Sequence, residues 1–376
     1  MKTIKLYPAF EEAFFVERDN RFVMTLEKNN RRITAYVANP GRMEEFLVPG
    51  HPFYMTSGNK GKYNYRIVAT SYQDSYILLD TIKINHLVER MLRKNLIGAF
   101  TEYKSIRREI PVGRSRFDFL LERENKKPAL LEVKSCSLCH KQTAMFPDAP
   151  TQRGRRHLED LDRLATGGYD CYTLYLTTHR HAGIFIPNGH TDPDYCETFI
   201  NSGNIRFLAY SAAMTDPVTL DFSTLKEIPI DFDKARILNQ DRGGYLLVLY
   251  NDKTFRKVIG ALGEREFKKG YYVYVGSAMK GLENRIKRHL RTRKKLRWHL
   301  DYILPGSMKT EKVYPIRRED RIEAPLAHAL QDFCDGYVPG FGSSDTQMDS
   351  HLFYFSDPPF RRREFLDLLL DFRALV

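Results

Sequence analysis

The chain has 376 residues, 42% apolar and 28% charged, enough for two or three domains each with its own core. No apolar run approaches the ~18 residues of a membrane helix, and the start, MKTIKLYPAFEEAFF, lacks a signal-peptide apolar region; a cytoplasmic protein with no membrane partner is expected. A net charge of +12 favours a polyanionic partner, with surface or ribosome association as the other source of such an excess.

The first 80 or so residues predict short strands broken at Asp19-Asn20 and Asn29-Asn30. About five such strands suggest a small barrel, of the kind often used to bind oligonucleotides, or a β-subdomain with no ligand of its own. A helix is expected from Asn85 to about Leu96, with Leu87, Val88, Met91 and Leu92 on its apolar face and Glu89 beside them. Next come two strands around a polar turn (RFDFLLERENKKPALLEVKSC, 116–136), a helix over RRHLEDLDRLAT, and strands over CYTLYLTT and IRFLAYSAAM. Residues 217–233 look like the exit from this unit. From Gly243 the pattern restarts, with strands GGYLLVLY and YYVYVGSA and a basic helix over LENRIKRHLRTRK. The expected architecture is a multidomain mixture of α+β and α/β: a barrel over 1–82, a central domain over 83–230, a linker over 231–240 and a smaller α/β domain over 241–376.

The hairpin at 116–136 carries the chemistry. Residues two apart on a strand share a face, so Glu132 and Lys134 point the same way, and pairing brings Asp118 beside them. Two carboxylates and a lysine on apolar strands suit a metal-dependent phosphodiesterase: the acids hold Mg²⁺ or Mn²⁺, and the ammonium steadies a water or developing charge. The pattern D-x13-E-x-K matches the PD-(D/E)xK nuclease motif, although solvated charges on a hairpin would read the same. Charges on strands this apolar rarely lack a role or a partner.

Two other features bear on ligands. Cys136-Ser-Leu-Cys139-His140 spells the C-x-x-C-H haem-attachment pattern, but that chemistry needs export, and no second cysteine pair completes a zinc site; neither haem nor zinc is expected. Residues 281–299 hold eight Lys and Arg against one acid. Interleaved with Trp298, His289 and His299, they read as a phosphate-contacting surface built from Arg288, His289, Arg291, Lys294 and Lys295, or as a solvated charged face.

With these residues in view, the first 230 positions resemble the sugar fermentation stimulation protein A family. The matching segments, in order, are ANPGRMEEFLVPG (38–50), DTIKIN (80–85), REIPVGRSRFDFLL (108–121), LLEVKS (130–135), FPDAPTQRGRRHLEDL (146–161) and DPDY (192–195). The resemblance implies an OB-like barrel followed by a PD-(D/E)xK, restriction-endonuclease-like domain, and it links the chain both to nuclease activity and to DNA binding in sugar-gene regulation. It makes Asp118, Glu132 and Lys134 the metal and catalytic residues. Glu89 or Glu109 supplies a further acid, Glu89 being preferred on its helix. Arg153 and His157 fall in the densest motif as phosphate contacts, as does Asp148 unless it only forms a Pro-Asp turn. Arg42, in the NPGRM loop, is implied to bind the nucleic-acid backbone.

Residues of roughly 240–355 resemble a second family, the small GIY-YIG-like endonuclease domain. Gly243-Gly244-Tyr245 stands for the first half of its motif and Tyr274-Val275-Gly276 for the second; Arg285, His289, WHLDY (298–302), Glu323 and 341–353 follow. This implies Tyr245 and Tyr274 near the nucleophile, Arg285 on the phosphate and Glu323 on a metal. Ala324, Thr346 and Met348 replace cysteines common in the fused-domain family, and Tyr274 reads equally well as a packed strand aromatic. The leading expectation is a nuclease acting on DNA or RNA. The alternatives are a binding-only regulator and a scaffold in a repair or RNA-processing complex.

Overall fold

Asn29 and Asn30 both take positive φ, 51° and 58°, the left-handed geometry that asparagine tolerates in tight hairpin turns. They join strands Val23–Lys28 and Arg31–Val37, and Glu11–Asn20 pairs with the first of these. Pro52–Ser57 and Tyr65–Tyr72 complete a six-stranded sheet with Ser75–Leu78. The parallel pairing of Arg31–Val37 with Tyr65–Tyr72 closes five of the strands into the expected OB-like barrel. Ala13, Met24, Leu26, Val37, Phe53 and Ile67 alternate inward to fill it. The computed structural model describes residues 2–58, 61–304, 306–343 and 348–374.

The chain divides into two units, Met1–Ala235 and Arg236–Val376. In the first, the barrel leads into a central restriction-endonuclease-like domain. Strands Ala129–Ser135, Asp170–Thr177 and Ile205–Ser211 run parallel, and Ser115–Glu122 and Ser105–Val112 add antiparallel to one side. Helix Thr81–Arg93 covers one face through Leu87, Val88 and Met91, and helix Gln152–Thr166 covers the other through Leu158 and Leu161. The first helix starts four residues before the expected Asn85, because Asp80 caps it by accepting from the Ile82 amide at 3.1 Å. Thr151 likewise caps the second, accepting from the Gly154 amide at 3.0 Å.

In the second unit, strands Lys309–Arg317, Gly243–Asn251, Gly270–Ala278, Leu352–Phe355 and Gly336–Tyr337 form one antiparallel sheet. Helices Leu282–Leu290, Glu323–Gln331 and Arg363–Ala374 accompany it. The basic helix is shorter than expected: it ends at Leu290, and 291–298 is a loop. Asp301 holds that loop by accepting from the Arg297 and Trp298 amides at 2.9 and 3.0 Å. The segment expected as a linker, 231–240, contains the helix Phe232–Leu238, and the division between the two units falls within it.

Candidate active sites

The hairpin pairs Leu131 with Phe119, Leu130 with Leu120 and Ala129 with Leu121, and the ladder then stops. One residue farther, Glu132 and Asp118 emerge side by side. Asp118 Oδ2 accepts from the Val133 amide at 2.7 Å, in place of the next rung, and Oδ1 accepts from Asn85 Nδ2 at 2.6 Å. Glu132 is 4% exposed. Its Oε1 accepts from Lys134 Nζ at 2.6 Å and from His157 Nδ1 at 2.7 Å. Glu132 Oε2 is buried and takes no hydrogen bond among the described residues.

The electrostatics separate the two acids. Burial, then the neighbouring Glu132 charge, pushes the Asp118 carboxyl up to about 7, despite the hydrogen bonds from Val133 and Asn85. For Glu132, burial opposes ionisation, but the Lys134 charge and the His157 hydrogen bond hold it below the usual carboxylate range. A buried carboxylate with an unused oxygen beside an acid that resists ionisation is short of positive charge. A divalent cation fits that deficit, and Mg²⁺ is commonly held by only one or two carboxylates with water completing its shell.

Several expectations need correction. Glu89 does not join the acids: it pairs with Arg93 at 2.8 Å and Arg108 at 3.2 Å, and Asn85, one turn earlier, reaches Asp118 instead. Among the described residues no three His, Cys, Asp or Glu side chains gather as a metal cage. The alternative acid, Glu109, is exposed at a positive-φ break in its strand. His157 does not face phosphate; it is 2% exposed and packs behind Glu132 against Phe117. Asp148 ties down a distant loop, its Oδ2 accepting from the Met43 amide at 3.2 Å. A side chain at Gly41 would meet that oxygen at 2.1 Å, so anything larger there would push the Asp148 carboxylate off the loop. Arg42 and Arg153 are exposed.

The second unit gathers its own cluster. Register sets Tyr245 opposite Gly276 and Leu247 opposite Tyr274, so both tyrosines lie on one face of the sheet. A Cβ on Gly276 would sit 2.4 Å from the Tyr245 hydroxyl. Tyr245 Oη lies 2.9 Å from His289 Nε2, and the Tyr274 ring packs 5.9 Å from the same imidazole. Burial, then Tyr274, drives the Tyr245 phenol far up, and burial pushes His289 down to about 4. Glu323 accepts from Ser277 and lies 3.1 Å from His351 Nδ1; against the opposing effect of burial, these contacts and the Arg285 charge lower it.

The basic segment is also revised. His289, 1% exposed and neutral, is no phosphate ligand. Arg288 grips Asp301 with two bonds of 3.1 and 3.0 Å, and Lys294 lies 3.4 Å from it. Arg291 and Lys295 are exposed. Trp298, with Arg285, Arg288 and Arg297 within 5.3 Å of its ring, organises the segment. Thr346 lies outside the described residues.

Comparison with known proteins follows the same division. Residues 16–79 match the family described as "SfsA N-terminal OB domain", 83–217 "Sugar fermentation stimulation protein RE domain", and 244–373 "Domain of unknown function DUF123". A sugar fermentation stimulation protein homolog of Methanothermobacter thermautotrophicus is 36% identical over 184 residues, 48% of this chain and 76% of that protein. One of Desulforamulus reducens is 37% identical over 192 residues, 51% and 80%. The structure of Pyrococcus furiosus SfsA in complex with Ca²⁺ is similar with a TM-score of 0.55 at 26% identity, covering 61% of this chain and 99% of that one.

Proposed function

The chain belongs to the sugar fermentation stimulation protein family, and on that footing we propose that it is a divalent-metal-dependent nuclease centred on Asp118, Glu132 and Lys134. The observation that carries this reading is the pairing of an unused, buried Glu132 oxygen with an Asp118 carboxyl that resists ionisation. That the Pyrococcus relative is in complex with Ca²⁺ supports a divalent cation for this chain; the unused Glu132 oxygen is the reason to put it at Asp118 and Glu132, with Mg²⁺ or Mn²⁺ as the working ion. A bound cation there would neutralise phosphate charge and acidify a water. Glu132 would hold it through the unused Oε2, and Asp118 would share one of its hydrogen-bonded oxygens with it. Lys134, which donates to Glu132 at 2.6 Å, would present its ammonium to the phosphate or the attacking water once a cation shared the Glu132 charge. His157 fixes the Glu132 carboxylate from behind.

The second unit is proposed as a GIY-YIG-type phosphodiesterase module. Its support is the convergence of Tyr245, Tyr274, Arg285, His289 and Glu323. With Tyr245 held protonated and His289 neutral, the Tyr245–His289 pair is arranged to pass a proton, while Arg285 supplies fixed positive charge.

The test is cleavage of single- and double-stranded DNA and RNA by the purified chain with Mg²⁺ or Mn²⁺. Loss of cleavage in Glu132→Ala and in Lys134→Ala is expected if the first module dominates. Full activity in both, with loss in Arg285→Ala, moves the chemistry to the second unit. Tight, salt-sensitive binding without cleavage of any substrate refutes the nuclease reading in favour of a binding-only regulator.

A further inference from the structure

A cleft of about 640 Å³ in the first unit opens between the barrel loop at 39–41 and the segment running from Met145 into helix Gln152–Thr166. Its floor includes Asn85 and Val133, the two residues that donate to Asp118, and Lys134 stands beside them. The cleft therefore leads to the acid pair. Its lining is of two kinds. Arg21 and Arg153 are exposed cations on opposite walls. Pro40 and Ile82 are exposed apolar side chains, and Ile82, in the first turn of its helix, is 53% exposed. Asp148, the one carboxylate in the wall among the described residues, accepts from the Met43 amide, and burial holds its pKa up.

Both walls are tied down. Asn39 Oδ1 accepts from the Gly41 amide at 2.9 Å, Asn188 Nδ2 donates to the Pro147 carbonyl at 2.9 Å, and the Thr151 amide donates to Asp192 at 2.7 Å. The cleft is thus preformed, and a ligand need not order it.

Cations alone would suit any polyanion. A duplex offers such a surface its phosphates, but its base faces are stacked away. Apolar side chains interleaved with cations gain only from bases whose faces are open. Resting on the nuclease reading above, we propose that this cleft takes an unpaired nucleic-acid strand, with phosphates against Arg21 and Arg153 and bases against Pro40 and Ile82. The acid pair then acts on single strands or single-stranded flaps.

Binding of a fluorescent 12-nucleotide oligothymidylate, the same strand annealed to its complement, and a 12-nucleotide oligouridylate is measured on the full chain in Ca²⁺. A single strand, DNA or RNA, is expected to bind about 10-fold or more tighter than the duplex, the scale of burying one apolar side chain against a base. Ile82→Glu places an acid where a helix N-terminus tolerates it. It is expected to weaken the single strand by about 10-fold while calorimetric Ca²⁺ binding stays as in the parent. Preference for duplex, or strand binding indifferent to Ile82→Glu, overturns the cleft and leaves the metal reading intact. Retained, Ile82-dependent strand binding with no Ca²⁺ uptake and no cleavage in Mg²⁺ or Mn²⁺ sinks the nuclease reading and keeps the strand site.

Discussion

Asp118 receives hydrogen bonds on both oxygens and still resists ionisation, because burial and the Glu132 charge outweigh them. The folded protein therefore keeps a proton that the unfolded chain, with an ordinary carboxyl near ~4, has already released. Between that value and about 7, proton uptake favours the folded state, and this stability is lost as pH rises through the window. In the proposed nuclease a divalent cation would take the place of that proton. Ca²⁺ is accordingly expected to raise the melting temperature more at pH 8 than at pH 5, and Asp118→Asn should remove most of that difference; an equal Ca²⁺ shift at both values would contradict the assignment. His157 acts through the other acid. His157→Gln breaks the 2.7 Å contact that aims Glu132, and divalent affinity measured by calorimetry should fall by about 10-fold or more. His157→Asn, whose shorter amide is closer in position to Nδ1, should recover part of the loss, which a general packing defect would not.

At the scale of elements, strand and helix periodicity makes much of this fold legible in the sequence. The hairpin, the helix over 155–166 and the paired strands at Gly243 and Gly270 all lie where alternation or 3.6-residue spacing put them. What spacing cannot show is which of two polar residues on a helix face meets a partner from a distant strand. Asn85 and Glu89 share a face one turn apart, yet only Asn85 reaches Asp118, since Arg108 from a neighbouring strand captures Glu89. The resemblance implies His157 as a phosphate contact through its place in the densest motif, but the helix turns its imidazole inward while Arg153 and Arg156 face out. Two glycines carry close approaches that a sequence alone leaves silent. Gly41→Ala drives a methyl into Asp148, and Gly276→Ala drives one into the Tyr245 hydroxyl. Each should cost about 1–3 kcal/mol by denaturant unfolding. Gly276→Ala should in addition shift the Tyr245–His289 contact, visible as a changed His289 imidazole resonance; an unchanged resonance would mean the strand yields instead.

For the whole molecule, the question is why one chain carries two clusters that both suit phosphodiester chemistry. The net charge of +12 is shared between them: residues 231–376 hold 27 Lys and Arg against 20 acids, leaving 32 against 27 in the remainder. Each unit also fills its own core, Phe119, Leu131 and Leu174 in the first and Leu247, Phe267 and Leu300 in the second. Neither cluster draws a residue from the other's core, so loss of one acid should not disturb the other site. Additivity of distant, unshared sites then gives the test. If both modules cut, Glu132→Ala and Glu323→Ala each remove one component of cleavage, distinguishable by substrate, and the double variant is inert. If one module only binds, its single variant leaves the maximal rate unchanged and the double variant equals the other single. In that second case the binding module should show itself through salt. Neutralising Arg291 and Lys295 together, both exposed on the loop after helix Leu282–Leu290, is expected to lower the slope of log affinity against log salt by about 1–2. An unchanged slope would remove the basic loop of the second unit from the nucleic-acid surface.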